Sequence, residues 1–555
     1  MRIRASMPFM MICCLVAIPA LAADPQAGLV GHWPLAGDAR DHSGNHRDGV
    51  IRGGVEFRSD GPAGLKGSAQ FNGNGAYLEI PAKKLPGMGT EDFTVSMWVK
   101  TPDQAGDVLG DLVSQYDPAT RRGFHLSLKT QAVTTTQAND RHLTFSIDDQ
   151  RESAWKDLGR PGNALLAFGL ATHEGSLYAA TCEPGRGEAG HVYRLGDDEK
   201  WVDVGSPDRS NTVTSLAVYH GKLYAGTGKY RVAGSALAES ENTTLGGRVF
   251  RYDGPNRWVD CGQLPQTEAV GGLIVFRDKL YASSLYRPAG FYRYEGEQKW
   301  VECGTPGGKR VVALGVYRDH LYGSSYDGGN VYRYDGSTWV DLGQLGENTQ
   351  TYSFAVYQGR LYVGTWPSGR VYRLQESGGW ADAGRLGEEL EVMGMLVHNG
   401  RLLAGSLPLA EVYTYEGKDR WSRSTRLDLT PDVKYRRAWT MAEQGGRLFC
   451  STLPSGRVHV YEAGTNAQAG TTFPQGWQHV TAVRTNDELA LYLNGEQTVL
   501  RKLPAEEKAY DLSSGQPLRI GFGENNYFLG HLADVRLYQR ALEPEELKAL
   551  MKTSR

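Results

Sequence analysis

The 555-residue chain carries only six cysteines, and two of them, Cys13 and Cys14, fall among its first 22 residues. The other four, Cys182, Cys261, Cys303 and Cys450, are too few and too scattered for a disulfide framework or a zinc site. Charge of one sign is scarce as well. With 60 basic and 63 acidic residues the formal net charge is -3, so no basic field points to nucleic acid. After the first residues no apolar run is long enough to span a bilayer. Long helical periodicity is missing, and so are the H-E-x-x-H zinc helix and the G-x-S-x-G nucleophile elbow. What is plentiful is 70 Gly, 29 Tyr and 12 Trp, over a length that exceeds one ordinary domain. That mixture belongs to an all-β protein with two substantial cores.

The chain opens "MRIRASMPFMMICCLVAIPALAADPQ": a basic start, a short apolar run, then Ala20-Leu21-Ala22 before polar residues. This is the layout of a secretory signal over residues 1–22, cleaved after Ala22. A membrane anchor fits less well, because the run is short and broken by Pro19. The expected location is outside the cytoplasm: secreted, periplasmic or at the cell surface.

From 151 to 465 one phrase recurs. A full copy reads "SFAVYQGRLYVGTWPSGRVYRLQESGGWADAG", residues 353–384. Its Leu landmark returns at Leu177, Leu223, Leu280, Leu321, Leu361, Leu402 and Leu448, and its Trp landmark at Trp155, Trp201, Trp258, Trp300, Trp339, Trp380 and Trp421. Seven members in 315 positions make units of about 45 residues, the length of a four-stranded propeller blade. Pairs such as Gln358-Gly359, Asn399-Gly400, His220-Gly221 and Asp253-Gly254 supply the positive φ that tight hairpins need. The Trp series begins before any complete unit and the seventh unit lacks a Trp strand. "WKDLG", 155–159, is therefore expected to supply the outer strand of the last blade and close the ring. The recurrent Arg194, Arg251, Arg293, Arg333 and Arg373 are expected to face Asp203, Asp260, Glu302, Asp341 and Asp382 across strands three and four, a structural ladder rather than a catalytic set. With its "RLYVGT" strand, Tyr-rich strand and Trp-led strand, the segment resembles kelch-type β-propellers, although Gly-Thr or Ser-Ser mostly stands where that family has a double glycine.

The flanks do not repeat. "LVGHWPLAGDARDHSGNHRDG", "AQFNGNGAYLEIP" and "FTVSMWVK" precede the array; "GWQHVTAVRTNDELALYLNGEQ", "LRIGFG" and "FLGHLADVRLYQRALEPEELKAL" follow it. Together they resemble the laminin-G-like, concanavalin-A-like jelly roll in its usual order. The implied organisation is a jelly-roll sandwich over 23–150 and 466–555 with a seven-bladed propeller, 151–465, inserted into it. The resemblance also suggests a calcium ion, with Asp41 and Asn45 of the "DHSGN" loop and Asp534 as oxygen ligands. The plainer alternative is that Asp41 and Asn45 cap a turn while Asp534 pairs with a nearby Arg.

Binding residues are sought where propeller loops vary, above all in 228–247, which replaces a four-residue "WPSG" elsewhere. After strand two stand Tyr326 and Trp366; between blades stand Asn211, Glu268, Arg310, Gln350, Glu391 and Arg436. Aromatics beside hydrogen-bonding groups suit a sugar, although the same residues could simply solvate the channel mouth. The expected partner is an extracellular glycan or glycoprotein, bound without catalysis. Two alternatives are a polysaccharide-cleaving enzyme, with Glu268 and Glu391 as the carboxylates to test, and a protein-protein scaffold.

Overall fold

The computed structural model describes residues 26–104, 108–503 and 509–553. The proposed leader lies outside them. Among the described residues the fold is all-β apart from three short 3-10 turns and the helix Pro544–Thr553. No helix among the described residues is long and apolar enough to cross a membrane.

Two large antiparallel sheets form one body. The first runs 56–58, 68–72, 529–538, 93–100, 477–484, 488–493, 496–502, with Leu29–Trp33 also paired to Leu529–Tyr538. The second runs 50–52, 77–80, 518–520, 110–117, 122–133, 136–152, 463–468. Both ends of the chain thus contribute to both sheets. Their alternating inward residues, among them Trp33, Phe71, Phe93, Phe124 and Phe145, make a single dry core between them.

The repeated segment folds as a propeller. Five four-stranded sheets stand as separate blades, and an eight-stranded sheet holds the strands between Leu166 and Gln263. The spacing predicts seven blades, but the ladders separate five, because the first eight strands are fused by one pairing, Cys182 with Thr212. In the blade made of 437–444, 447–453 and 458–461, the outermost strand is Lys156–Asp157, paired to Val460 and His459. The expected turns carry positive φ at Gln358, Asn399 and His220 and at the glycine that follows each. Five of the recurrent Trp residues, from Trp258 to Trp421, reach across to the preceding unit, where the indole N–H donates to a carbonyl, as Trp300 does to Cys261 and Trp421 to Ala383, both at 2.9 Å; the indole N–H groups of Trp155 and Trp201 are buried without a partner.

The expected Arg-acid ladder is out of register. Arg194 lies opposite Val202 and Arg251 opposite Val259, while Asp203 and Asp260 lie opposite Tyr193 and Phe250. Since side chains alternate faces along a strand, Arg and acid point to opposite sides. Four of the acids instead meet the residue at or just before the start of strand three: His191–Asp203 at 2.9 Å, Arg370–Asp382 at 2.5 Å, Arg457–Asp157 at 2.5 Å, and Arg248–Asp260. In the sixth unit the charges are exchanged, with Arg423 on Glu411 at 3.0 Å.

One hairpin joins the two bodies. Strands Arg122–Val133 and Thr136–Glu152 leave the sandwich and run down the propeller axis, touching the innermost strand of every repeat unit from Leu166–His173 to Arg437–Gln444. Those inner strands are bulged, with register breaks at 213/215, 270/273, 392/395 and 438/441. A bulge leaves main-chain groups without a ladder partner. The threonines at the hairpin tip take that place. Thr135 donates to the Thr214 carbonyl at 2.8 Å, the Leu273 N–H donates to the Thr135 carbonyl at 3.1 Å, and Thr134 bonds Thr440 at 3.0 Å. Glycine turns seat the propeller on the sandwich: Gly359, at φ +71°, packs so close to Tyr527 that a Cβ would stand 2.4 Å from its ring.

Candidate functional site: the propeller mouth

On the face away from the sandwich the inner strands begin around a cavity of about 430 Å³. Gln350, Glu391 and Arg437 hold one equivalent position, the first residue of an inner strand, paired respectively with Trp366, Leu407 and Leu453. Two residues further along, on the same side by the period of two, stand Tyr352, Met393 and Trp439. Gln350, Tyr352, Glu391, Arg437 and Trp439 line the cavity, together with Phe168. The hairpin tip closes the channel just below, since its partner Thr440 follows Trp439 directly.

The long loop 228–247 forms one lip. Tyr230 is fixed by Asn211, whose side chain accepts from the Tyr230 N–H at 2.7 Å and donates to its carbonyl at 3.0 Å. Glu239 accepts the N–H groups of Val232, Ala233 and Ser240 and so holds the short turn Val232–Ser235. Arg231 lies 4.4 Å over the Tyr286 ring, donates its own N–H to the Tyr286 hydroxyl at 2.9 Å, and pairs with Glu268 at 2.6 Å. Tyr326 tilts against Tyr352, ring centres 4.9 Å apart.

Within these walls sits an incompletely matched charge pair. Arg437 and Glu391 are 8% and 2% exposed at the side chain, and their nearest atoms are 3.7 Å apart, beyond a hydrogen bond. Nε and Nη1 of Arg437 and one oxygen of Glu391 are buried with no hydrogen-bond partner. Burial pushes the Glu391 carboxyl up, while Arg437 pulls it back down. Polar atoms buried in this state cost free energy until something bonds them. A small polar molecule with an apolar face could do so, stacking on Tyr or Trp while its hydroxyls meet the guanidinium and carboxylate.

Of the residues singled out in the sequence, Tyr326, Gln350 and Glu391 line the cavity. Arg310 sits at its edge, 5.8 Å from the Tyr326 ring, with its guanidinium on Asp327 at 2.8 Å. Asn211 serves the loop and Glu268 serves Arg231. Trp366 is outside the lining, and Arg436 turns away to donate to the Thr430 carbonyl at 2.6 Å. Arg437 was one position from being found. The blade-to-blade residues alternate faces, and only the register with strand two shows that 437, not 436, is equivalent to 350 and 391. Tyr230 and Tyr286 lie in loops of irregular length, where the repeat offers no alignment.

The residues offered for calcium are each engaged by protein groups in this structure. Asp41 accepts the N–H groups of His32, Ser43 and Arg47 at 2.9–3.0 Å, and these bonds hold its carboxyl below the usual range despite the opposing effect of burial. Asn45 donates to the Leu29 and Val30 carbonyls. Asp534 pairs with Arg536 at 3.0 Å and His32 at 2.7 Å, and a guanidinium at that distance opposes a second cation. Among the described residues no group of three or more His, Cys, Asp or Glu is arranged to hold a metal. The four cysteines there are free.

The family described as the Concanavalin A-like lectin/glucanases superfamily, of laminin G type, matches residues 421–548, which include strands of both large sheets. No curated protein matches the chain. Among solved structures, virginiamycin B lyase from Staphylococcus aureus is similar at 9% identity and a TM-score of 0.44, over 56% of this chain and 99% of that one. The WD40 propeller domain of Doa1 is similar at 12% and 0.41, over 56% and 97%. The GH74 xyloglucanase of Xanthomonas campestris is similar at 16% and 0.40, over 55% and 53%. At these scores they carry no argument about the site. The chain is thus an all-β protein that combines a propeller with a concanavalin A-like domain.

Proposed function

We propose that this is an exported, non-catalytic carbohydrate- or glycoprotein-binding protein whose ligand sits in the propeller mouth. The observation that carries the reading is the Arg437–Glu391 pair, buried with unpartnered N–H groups and an unpartnered oxygen beside an aromatic wall. A saccharide supplies what is missing there: hydroxyls for both charges and a C–H face for Tyr352 and Trp439.

We further read the propeller as seven kelch-like blades over 151–465, set into a jelly roll of 23–150 and 466–555. Counting the two halves of the fused sheet separately supports seven, and the pairing of Lys156–Asp157 with Val458–Tyr461 supports a ring closed by a strand from its start. The leader over 1–22 supports export.

Hydrolysis is the second reading and is less favoured. Cleavage of a glycosidic bond needs two free carboxyl groups flanking it. Glu268 is engaged by Arg231 and Glu239 by three backbone N–H groups, which leaves Glu391 without a second. The test is depletion of the protein onto immobilised polysaccharides, with reducing ends assayed in parallel. Retention without product, lost in Arg437→Met and weakened in Tyr352→Ala, is expected. Accumulating reducing ends would make it an enzyme, and no retention on any glycan would leave a protein-protein scaffold.

A further inference from the structure

A second cavity, of about 420 Å³, opens at the seam between propeller and sandwich, on the face opposite the mouth. The propeller contributes Arg360, Tyr362, Arg373, Tyr415 and Lys418; the sandwich contributes Arg519, Phe522, Glu524 and Tyr527. The two walls are joined at their base, where the Gln358 N–H donates to the Glu524 carbonyl at 2.8 Å.

Four cations thus line one cleft in a chain whose net charge is -3. Among the described residues Arg360 and Lys418 make no ion pair, and Nε of Arg373 is buried without a hydrogen-bond partner. The acids at the edge are already engaged: Glu376 by Arg318 at 2.7 Å, and Asp419 by Arg373 at 3.4 Å and by the Tyr415 hydroxyl. Glu524 is buried at the base, its carboxyl accepting from Ser114 at 2.9 Å and lying 3.8 Å from the Arg519 guanidinium. Burial, and then the neighbouring Asp111, push it up to about 8, so that it is largely neutral at pH 7 and does not cancel the cations. Beside them Phe522 and Tyr527 stack at 4.1 Å with their planes 15° apart, and Arg519 lies 5.7 Å from the Phe522 ring.

Four cations beside one ionised partner, the Asp419 on Arg373, still repel one another, and they are relieved by an anion. The aromatic stack beside them asks for a ligand with an apolar face. We propose that this cleft is a second ligand site that takes an acidic saccharide unit, its carboxylate or sulfate held by Arg360, Arg373, Lys418 and Arg519 and its ring laid against Phe522 and Tyr527. Planar guanidinium groups bind both kinds of oxyanion through paired N–H donors, so the charge is recognised whichever group bears it.

The experiment is affinity electrophoresis of the full chain in gels carrying polygalacturonate, which offers carboxylates, dextran sulfate, which offers sulfates, or plain dextran. Retardation by one or both polyanions and not by dextran is expected, and whichever retards names the group. Arg360→Ala/Lys418→Ala, changing two exposed side chains, should weaken it tenfold or more. Lys66→Ala/Lys279→Ala, removing the same charge elsewhere, should leave it unchanged, and so should Arg437→Met. Retardation that survives in the cleft variant, that falls equally in the control, or that is absent for both polyanions overturns the proposal. Loss in Arg437→Met alone would assign the acidic glycan to the mouth and also overturn it.

Discussion

Two buried carboxylates in the propeller, Glu443 and Glu391, have the same exposure, 2% at the side chain, and opposite electrostatics. Glu443 faces the hairpin in the channel. Lys129 of that hairpin stands 2.7 Å from one of its oxygens and His398 Nδ1 stands 2.7 Å from the other. Burial alone would raise its pKa, but Lys129 and then His398 bring it down to about 2. At Glu391 burial outweighs Arg437, at 3.7 Å, and the Tyr352 hydroxyl, and its carboxyl is pushed up. Burying a carboxylate costs several kcal/mol, so one that is well matched is part of the framework. One that is poorly matched, in a cavity open to solvent, is where a ligand contributes binding energy. The comparison separates a channel carboxylate that is finished, with a nitrogen 2.7 Å from each oxygen, from one in the mouth that is not.

The largest expected effect tests the finished side. Lys129→Met removes the cation and leaves Glu443 buried beside an apolar chain, which should cost about 3–5 kcal/mol in chemical denaturation at pH 7. The sign with pH follows from linkage. The lowered pKa of Glu443 gives stability that is present above its unfolded value near 4.5 and is lost as pH falls toward 2. Without Lys129 the folded pKa rises, so the variant should instead lose stability as pH rises from acid to neutral. Arg437→Met, the matching change in the mouth, should cost less, about 1 kcal/mol, because the pair it breaks is already poorly matched, at 3.7 Å, and borders a cavity that water can enter. Its main effect should be on glycan retention. Equal destabilisation by the two variants would break the comparison.

A middle-sized effect concerns the seam. Glu524 is raised to about 8 and Asp111 to about 6, both chiefly by burial. A carboxyl with a raised folded pKa binds more protons folded than unfolded. Its contribution is therefore fully present below about 4.5 and is lost as pH rises through 8. Glu524→Gln keeps the acceptor for Ser114 and cannot ionise. It should melt like the parent at pH 5 and be more stable by about 2 kcal/mol at pH 8. A parent whose stability does not fall between those values would show that Glu524 is not held neutral.

How far the sequence led depends on which interactions repeat. The Trp and Leu-Tyr landmarks were legible because each unit buries the same side chains against the next, and the turns because Gly359 and Gly400 need positive φ. The ladder's true partner is hidden, since Arg251 recurs as Arg in five units while the position of Arg248 is His191, Gly290 or Asn330 elsewhere, and only the pairing of Phe250 with Asp260 reveals the face. Arg437 was missed for the same reason, by one residue of phase. The hairpin "QAVTTTQAND" was illegible altogether. Its threonines bond strands more than 70 residues away, and no local pattern marks a polar tip made to meet bulged main chain. In the mouth, the repeated positions could be named, whereas Tyr230 and Tyr286 depend on loops that no other unit shares.

The smallest effect isolates what burial does. Arg457 and Asp157 meet at 2.5 Å, far closer than Arg437 and Glu391, yet their side chains are 49% and 40% exposed. This pair joins the strand Lys156–Asp157 to its neighbour and is the outermost rung of that blade. Water already solvates both charges and salt screens them, so the shorter distance is worth little. Arg457→Met should cost between about 0.2 and 1 kcal/mol in low salt and nearly nothing in 1 M salt, while the turn bond from the Gly159 N–H to Asp157 remains. If this exposed contact proved as costly as Lys129→Met, then distance, and not desolvation, would rank the ion pairs of this protein. The distinction drawn between channel and mouth would fall with it.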